Sequence, residues 1–395
     1  MISNESINVK GVQRLNRLRV LNLIRQNGSI VRSDIGEYSG LSPAAISGIV
    51  NYLIRMGLVV ESGVENVDRT GRKGLLLHFC SERYALIVAG CEDDTLRVFL
   101  TDLSGKVFAS HEHSLADCGP QAITERLCGA VRELLREPSA PEVIAFGLSM
   151  SGLVLDHGEN VKSSHMSWDI PAVRKELKAL RDVPFLVTNN TFTKAVWLCR
   201  GSVDEVAGVT VFVDLTHGVG ASLMKDGVRD PLFIGEVGHT TVAADGEPCG
   251  CGNRGCLEQM CSPQRMLRLY RERSGKTVKD MASFAAIVGE GDPDANEVLD
   301  ECAEYLGIGL ATLMVLFDPG KLLINAYDYA DCPRVVERAC EAMRRRVFPG
   351  VGRDLHVETI CFDDGDLVRA MTHELCDSLF SEQLPVDIFR QIGGE

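Results

Sequence analysis

Three closely spaced cysteines and one histidine form the clearest chemical pattern in this 395-residue sequence. Cys249, Cys251 and Cys256 follow His239, and glycines lie between the cysteines. Zinc in proteins takes four thiolate or imidazole ligands in a tetrahedron, and glycine lets a short loop turn tightly enough to bring them together. With all four positions filled by protein, no position is left for an activated water. The pattern therefore predicts one structural zinc ion per chain, with buried thiols that hold no metal as the alternative.

Two acidic residues flank this cluster. Glu236 lies three residues before His239, and Glu258 lies two residues after Cys256. A metal that holds the loop would also hold these carboxylates in place, and such preorganised carboxylates suit a ligand rich in hydroxyl groups. Taken alone, each would be interpreted as an ordinary surface acid.

The first 80 residues have the pattern of a small DNA-binding domain. Leucines recur every third or fourth residue in the first segment, which is typical of an amphipathic helix, and Ser42-Pro43 is a helix N-cap followed by proline. Two short helices joined by a tight turn and followed by a hairpin predict a winged helix-turn-helix. The predicted helices cover residues 13–26, 33–40 and 43–57, and the predicted strands cover 58–61 and 75–79.

The charge distribution supports a nucleic-acid partner for this head. The net charge of the chain is −14, yet residues 1–78 carry +4 and the remaining residues carry −18. Small outward residues on the third helix would allow a close approach to a DNA groove, and basic residues in the wing suit phosphate contacts. A three-helix bundle with no nucleic-acid role is the alternative. The predicted DNA-binding residues are Arg32, Ser42, Ala44, Ala45, Ser47, Asn51, Arg69, Arg72 and Lys73.

The rest of the chain alternates strand-like and helical segments, which predicts an α/β body. The longest nearly uncharged apolar stretch, Leu306 to Phe317, is shorter than the roughly 20 residues of a membrane span. The N-terminus has no basic start and no apolar run, so no secretory signal is predicted. We expect a cytoplasmic protein without membrane insertion, in which most of the 14 cysteines are small core residues rather than disulfides.

Taken together, these motifs resemble the ROK family (repressor, open reading frame, kinase), in particular its regulator branch, typified by the xylose and N-acetylglucosamine repressors. The resemblance implies an actin/hexokinase-like body of two α/β lobes, with a sugar cleft between them and a zinc knuckle. The implied domains are a winged helix-turn-helix at 1–80, a first lobe at 84–190 rejoined by the C-terminal helix at about 370–395, and a second lobe at 191–369. The motifs that carry the resemblance are Gly71-Arg72-Lys73, Thr101–Gly105, Gly235–His239, the three cysteines with Glu258, and Leu316–Pro319.

The kinase motifs of the family are altered in this chain. The resemblance aligns the phosphate loop with residues 90–94, where Gly90 replaces an aspartate and Glu92 and Asp93 replace a glycine pair. Like charges about 4 Å apart cost about 1 kcal/mol even in water, so these carboxylates would repel ATP. Asn190 stands where the family has its catalytic aspartate, and a neutral amide cannot accept the proton of a sugar hydroxyl. We therefore expect no enzyme activity and no catalytic residues.

The sugar-contacting positions of the family carry over better. Its implied residues here are His165, Asn189, Asn190, Glu236, His239 and Glu258. The expected function is that of a sugar-responsive DNA-binding regulator that represses genes for carbohydrate uptake and catabolism. Its expected partners are operator DNA, a sugar or sugar-phosphate effector, and further copies of the chain in a homodimer or tetramer. The alternatives are a sugar kinase with a fused DNA-binding head, or a regulator controlled by a transport-system protein.

Overall fold

The structure is a computed structural model that describes residues 9–67, 72–92, 94–163, 166–199, 208–362, 364–382 and 388–393. The described chain forms a head and two α/β lobes. No described helix combines the length and the apolar character that crossing a membrane would require.

The head is a winged helix-turn-helix, as predicted. Its elements are α1 (Val9–Asn27), β1 (Ser29–Val31), α2 (Arg32–Ser39), α3 (Pro43–Arg55), β2 (Val59–Val67) and β3 (Arg72–Phe79). The Ser42 hydroxyl accepts a hydrogen bond of 3.3 Å from the Ala45 N–H and caps α3, and Gly40 ends α2 with a φ of 68°. The strands form a sheet in the order β1-β3-β2.

Two features of the head differ from the prediction. Helix α1 begins at Val9 rather than at residue 13. Both wing strands extend further into the hairpin, because their antiparallel pairing continues past a bulge between Ser62 and Val64 as far as the pair Val67–Arg72. The sequence does not reveal this extension, because its residues are mostly polar and a strand without a buried face needs no alternation of apolar and polar residues.

The first lobe begins directly after the head. Its elements are β4 (Tyr84–Glu92), β5 (Thr95–Asp102), β6 (Val107–Ser114), α4 (Pro120–Leu134), β7 (Glu142–Met150), β8 (Leu153–Leu155), β9 (Asn160–Lys162), α5 (Ile170–Leu180), β10 (Phe185–Asn189) and α6 (Asn190–Leu198). The large sheet has the order β10-β7-β4-β5-β6. Strand β6 was not predicted, because it is an edge strand whose outer residues are polar.

The second lobe holds the other large sheet and the helices that pack on it. Its elements are β11 (Val209–Asp214), β12 (Gly220–Lys225), β13 (Val228–Arg229), α7 (Leu257–Cys261), α8 (Pro263–Ser274), α9 (Met281–Gly289), α10 (Pro293–Phe317), β14 (Lys321–Asn325), α11 (Arg334–Arg346) and β15 (His356–Ile360). Helices α12 (Asp364–Leu379) and α13 (Ile388–Gly393) then follow. Helix α12 begins at Asp364, earlier than the C-terminal helix expected from about residue 370.

The two large sheets have the same topology. The second sheet has the order β13-β12-β11-β14-β15. In each lobe the first three strands are antiparallel neighbours, and the next two strands add in parallel on the other side of the first. The carboxyl ends of the first strands, β4 and β11, therefore have equivalent places in their lobes. Ligands of open α/β sheets bind outside such ends.

Helix α12 returns to the first lobe and contacts the head. A Cβ on Gly147 of β7 would lie 3.0 Å from Leu375 of α12, so helix and sheet pack closely. Near the C-terminal end of α12, the Asn22 side chain donates a 2.9 Å hydrogen bond to the Phe380 carbonyl, and Arg25 forms a 2.9 Å ion pair with Asp377. The apolar core is continuous from α1 through β4 to α12 and α13. The head is thus packed on the body rather than joined to it by a free linker.

Removal of one side chain at this junction should destabilise the whole head. Phe380 is fully buried between β3, α1 and α12, whereas Phe348 is 70% exposed. We expect Phe380→Ala to lower the free energy of unfolding by about 3–5 kcal/mol, because it leaves a cavity in a shared core. The control Phe348→Ala should change it by less than about 0.5 kcal/mol. Urea unfolding measures both, and an equal effect of the two variants would contradict the shared core.

Candidate functional site

A polar pocket of about 450 Å³ lies between the two lobes. The first lobe contributes the junction of β10 and α6, and the second contributes the turn before β12, the segment before the cysteines, and α7. The polar side chains that line it include Asn189, Thr191, His217, Glu236, His239 and Glu258. The pocket thus brings together four of the predicted sugar-binding residues from segments far apart in the sequence.

The four predicted metal ligands converge at one edge of this pocket. The ligand atoms of His239, Cys249, Cys251 and Cys256 all lie within 4.8 Å of one another. His239 Nδ1 is 3.6 Å from Cys249 Sγ, and Cys251 Sγ is 3.7 Å from Cys256 Sγ. In a tetrahedral zinc site, two sulfurs bound at about 2.3 Å lie about 3.8 Å apart. The donor set and its spacing therefore fit a tetrahedral metal.

The loop that carries these ligands requires glycine. Gly255 has a φ of 62°, and a Cβ there would lie 1.6 Å from the Ala243 carbonyl oxygen. In the metal-free chain, burial raises the pKa of the Cys256 thiol to about 12. A hydrogen bond from the backbone of Asn253 instead lowers the pKa of Cys251. A bound metal would have to displace the proton of Cys256, so its affinity should fall at low pH.

His239 connects the ligand cluster to the pocket. Its Nδ1 faces Cys249, while its Nε2 lies 3.7 Å from Glu236 Oε2. Glu258 begins the first turn of α7, immediately after Cys256 and Leu257, and its Oε2 accepts a 3.0 Å hydrogen bond from the Val219 N–H. Both pocket carboxylates thus lie beside the cysteine loop, Glu236 against His239 and Glu258 two residues after Cys256.

The two neighbouring asparagines have different environments. Asn189 lines the pocket and caps α6 by accepting a 3.2 Å hydrogen bond from the Phe192 N–H. Asn190 is buried beneath the pocket. Its Nδ2 donates to the Cys91 carbonyl at 2.8 Å, and its Oδ1 accepts from the Ser149 hydroxyl at 2.6 Å. Asn190 does not line the pocket and its amide is bonded within the protein, and the sugar contact through it stays a prediction.

A buried ion cluster lies between the ends of β4 and β11. Lys194 Nζ is 2.7 Å from Glu92 Oε1 and 3.1 Å from Asp214 Oδ2, and its side chain is 2% exposed. Burial by itself lowers the pKa of Lys194, but the charges of Asp214 and Glu92 raise it overall, so the ammonium stays protonated. Asp214 also accepts 2.8 Å hydrogen bonds from Asn325 and Thr216. The Lys194 ammonium thus joins a carboxylate of the first lobe, Glu92, to one of the second, Asp214.

This cluster corrects the prediction for residues 90–94. Gly90 and Cys91 pair with Ser149 and Met150 as the end of β4 rather than forming a phosphate loop. Glu92 does not stand as one of several mutually repelling carboxylates, because it is paired with Lys194. Lys194 was not predicted as a functional residue. In the sequence it is a single lysine in a short, largely apolar helix, and no pattern there marks it as buried. Asp93 lies outside the described residues.

The described part of the predicted DNA-binding set lies at the start of α2 and on α3 with its N-cap. Ala44 and Asn51 are exposed on α3, while Ala45 and Ser47 are half-buried. Arg32 donates hydrogen bonds to Asn51 Oδ1 at 3.1 Å and to Glu61 Oε1 at 2.6 Å. Arg69 and His165 lie outside the described residues, and only the backbone of Arg72 and Lys73, at the start of β3, is described.

Loss of the lysine in the ion cluster should leave two buried carboxylates without their cation. We expect Lys194→Met to lower the free energy of unfolding by about 3–5 kcal/mol. Adding Glu92→Gln to that variant should restore part of the loss, because it removes one of the two negative charges. The control Lys178→Met removes an exposed lysine on α5 and should cost at most about 0.5 kcal/mol. Urea unfolding of the four proteins tests this, and a double variant no more stable than Lys194→Met would contradict it.

Comparisons with known proteins agree with this architecture. The sequence matches the winged helix-turn-helix DNA-binding family over residues 13–60 and the ROK family over residues 90–348. It is 25% identical to the xylose repressor of Bacillus spizizenii over 349 residues, which cover 86% of this chain and 89% of that protein. It is 28% identical to the DNA-binding transcriptional dual regulator NagC of Escherichia coli over 351 residues, covering 85% and 86%.

A solved structure supports the fold of the whole chain. A ROK family transcriptional regulator, described as a homologue of the E. coli MLC protein, superposes with a TM-score of 0.80 at 24% identity, covering 96% of this chain and 100% of that one. The predicted winged head and two-lobed actin/hexokinase-like body are thereby confirmed. Since the family match extends from the end of β4 through the pocket and the cysteine loop to the end of α11, this chain belongs to the ROK family.

Proposed function

We propose that this protein is a sugar-responsive DNA-binding transcriptional regulator that represses genes of carbohydrate uptake and catabolism. The observation that carries the proposal is Asn190, because it stands where the family resemblance places a catalytic aspartate and its amide is bonded to Cys91 and Ser149. The neutral amide of Asn190 cannot act as a base and accept the proton of a sugar hydroxyl. The pocket can therefore bind a sugar without phosphorylating it, and binding is reported through the head.

The ion cluster supports the same separation of binding from chemistry. A phosphate near the end of β4 would approach Glu92 and Asp214, two carboxylates that share one buried lysine and so keep a net negative charge. Displacing that lysine would leave both carboxylates uncompensated, and transferring such charges from water to protein costs several kcal/mol each. We propose that no nucleotide is used and that the chain has no enzyme activity.

The sugar would bind through the pocket residues Asn189, Glu236, His239 and Glu258, together with His165. Carboxylates that accept hydrogen bonds from hydroxyls discriminate among sugars, because a missing hydroxyl leaves a buried charge without its donor. The names of the relatives suggest xylose and N-acetylglucosamine as first probes. The sugar phosphates belong in the same panel.

The head would bind operator DNA with α3 in the major groove and the wing on the backbone. We propose Ser42, Ala44, Ala45, Ser47 and Asn51 as the contacts of α3 and its cap. Arg32, Arg69, Arg72 and Lys73 would reach phosphates or the minor groove.

The proposed units are the head at 1–80, the first lobe at 84–190 with the C-terminal helices, and the second lobe at 191–369. Two heads in a homodimer or tetramer would reach half-sites about one helical turn apart.

We also propose that His239, Cys249, Cys251 and Cys256 hold one structural zinc ion. The ion would fix the loop that positions Glu236 and Glu258, and its four protein ligands would leave no position for reactive water.

Zinc analysis should return about one ion per chain, because four ligands form one cluster. Replacing one ligand, Cys251→Ser, should lower both the zinc content and the melting temperature, since structural zinc binding is coupled to folding. The control Cys361→Ser replaces an exposed thiol outside the cluster and should change neither. Metal analysis and thermal unfolding measure both effects. A stable, metal-free protein with unchanged Cys251→Ser would contradict the zinc site.

The function is tested by binding to DNA fragments that flank the protein's own gene. We expect binding at moderate salt, and a change in affinity when the effective sugar of the panel is added. Glu236→Gln should reduce the sugar's affinity by about tenfold or more, because it weakens a charge-assisted hydrogen bond in the pocket, while the affinity for DNA without sugar stays the same. The control Glu290→Gln replaces an exposed glutamate after α9 and should change neither affinity. Absence of DNA binding would contradict the proposal.

Two other functions give different results in the same assays. A sugar kinase with a fused head would convert labelled ATP and a sugar into a sugar phosphate. Any turnover that depends on the protein would favour that function. A regulator controlled by a transport-system protein would bind DNA but respond to no sugar of the panel.

A further inference from the structure

We propose that Glu374 on α12 is the positioning residue that couples the ligand pocket to the DNA-binding head. The proposal deepens the proposed function and rests on it, because it names the part of the fold that would carry the sugar signal. It starts from the observation that one helix contacts both the base of the pocket and the head.

The first contact is at the base of the pocket. The Glu374 carboxylate accepts hydrogen bonds from two threonine hydroxyls, from Thr188 at 2.6 Å and from Thr193. These threonines stand on either side of Asn189, at the junction of β10 and α6. The Thr193 hydroxyl oxygen also lies 3.1 Å from the Asn189 carbonyl oxygen, so its single proton is shared between that carbonyl and Glu374. A ligand that displaces Asn189 would therefore also displace the two threonine hydroxyls that bond to Glu374.

The second contact is at the head. One turn after Glu374, Asp377 forms the ion pair with Arg25 of α1, and the Phe380 carbonyl accepts the hydrogen bond from Asn22. From Glu374 to Phe380 the helix and its end span about 9 Å at 1.5 Å per residue. A helix of this length is stiff, so a shift at one contact is transmitted to the other.

The packing between these contacts leaves little freedom to absorb a shift. His373 of α12 stacks near Trp197 of α6 with ring centroids 4.8 Å apart, and Leu375 packs against Gly147. The core that surrounds α12 continues into α1 without a linker. Closely packed interiors respond to displacement by moving whole elements, since they are not compressible. Movement of α6 should therefore reorient α1, and with it α3.

The test compares Glu374→Ala and Glu374→Gln with the wild-type protein. The control is Glu337→Gln, which replaces an exposed glutamate on α11. The first measurement is the ratio of operator affinities with and without the effective sugar of the panel. Glu374→Ala should reduce that ratio by about tenfold, which lies within the range of known coupling energies. Glu374→Gln should keep most of the ratio, because an amide can still bond to both hydroxyls. The control should keep all of it.

The second measurement needs neither DNA nor sugar. Hydrogen exchange of the unliganded protein should become about tenfold faster in the part of α1 that contains Asn22 and Arg25 when Glu374 is replaced by alanine. A local structural role would instead confine the change to α6 and α12. Such confinement, or an unchanged affinity ratio in a protein that binds DNA and sugar, would overturn the coupling and leave the proposed function intact. Failure of the wild-type protein to bind DNA would overturn the proposed function, and exchange in α1 would then decide the coupling alone.

Discussion

The arrangement of the two lobes depends on one buried ammonium group. Lys194 bridges Glu92 at the end of β4 and Asp214 at the end of β11, and these strands have equivalent places in their sheets. Burying three charges is unfavourable unless each has its partner, so the energy of the cluster depends steeply on its geometry. That dependence holds together the carboxyl ends of the central strands of the two sheets, and Thr191, which lines the pocket, donates a 3.5 Å hydrogen bond to Asp214.

The cysteine loop has a comparable effect on the other side of the pocket. One side chain, His239, faces the sulfur atoms with one ring nitrogen and a pocket carboxylate with the other. The loop that carries the predicted metal ligands thus also contacts Glu236, and Glu258 follows it in α7, where it accepts a hydrogen bond from the Val219 N–H. Metal ligands commonly depend on such outer partners for their orientation. Here the pocket also depends on the ligand cluster, because His239 of the cluster lies beside the pocket carboxylate of Glu236.

The head is part of the body's core. A DNA-binding domain on a flexible linker would change its orientation independently of the pocket. In this protein an ion pair and a hydrogen bond join α1 to the end of α12, and the Phe79 ring of β3 packs edge-on against Phe380. Tyr84 of β4 donates a 2.7 Å hydrogen bond to the Met56 carbonyl after α3. A change in the angle between the lobes would therefore carry the heads with it.

The sequence by itself determined the local and chemically distinctive features. Apolar periodicity, the Ser42-Pro43 cap and the glycines around the cysteines predicted the head and the ligand cluster, because these signals lie within a few residues of each other. Only the tertiary structure decided the rest. Three features join residues that lie tens of residues or more apart: the repeated sheet topology, the pairing of Glu92 with Lys194 and the burial of Asn190. The local sequence does not indicate which of these residues will be in contact. The contact of α12 with α1 joins the two ends of the chain. Such pairings follow from how the elements pack, because burial is what turns an ordinary lysine or glutamate into a structural one.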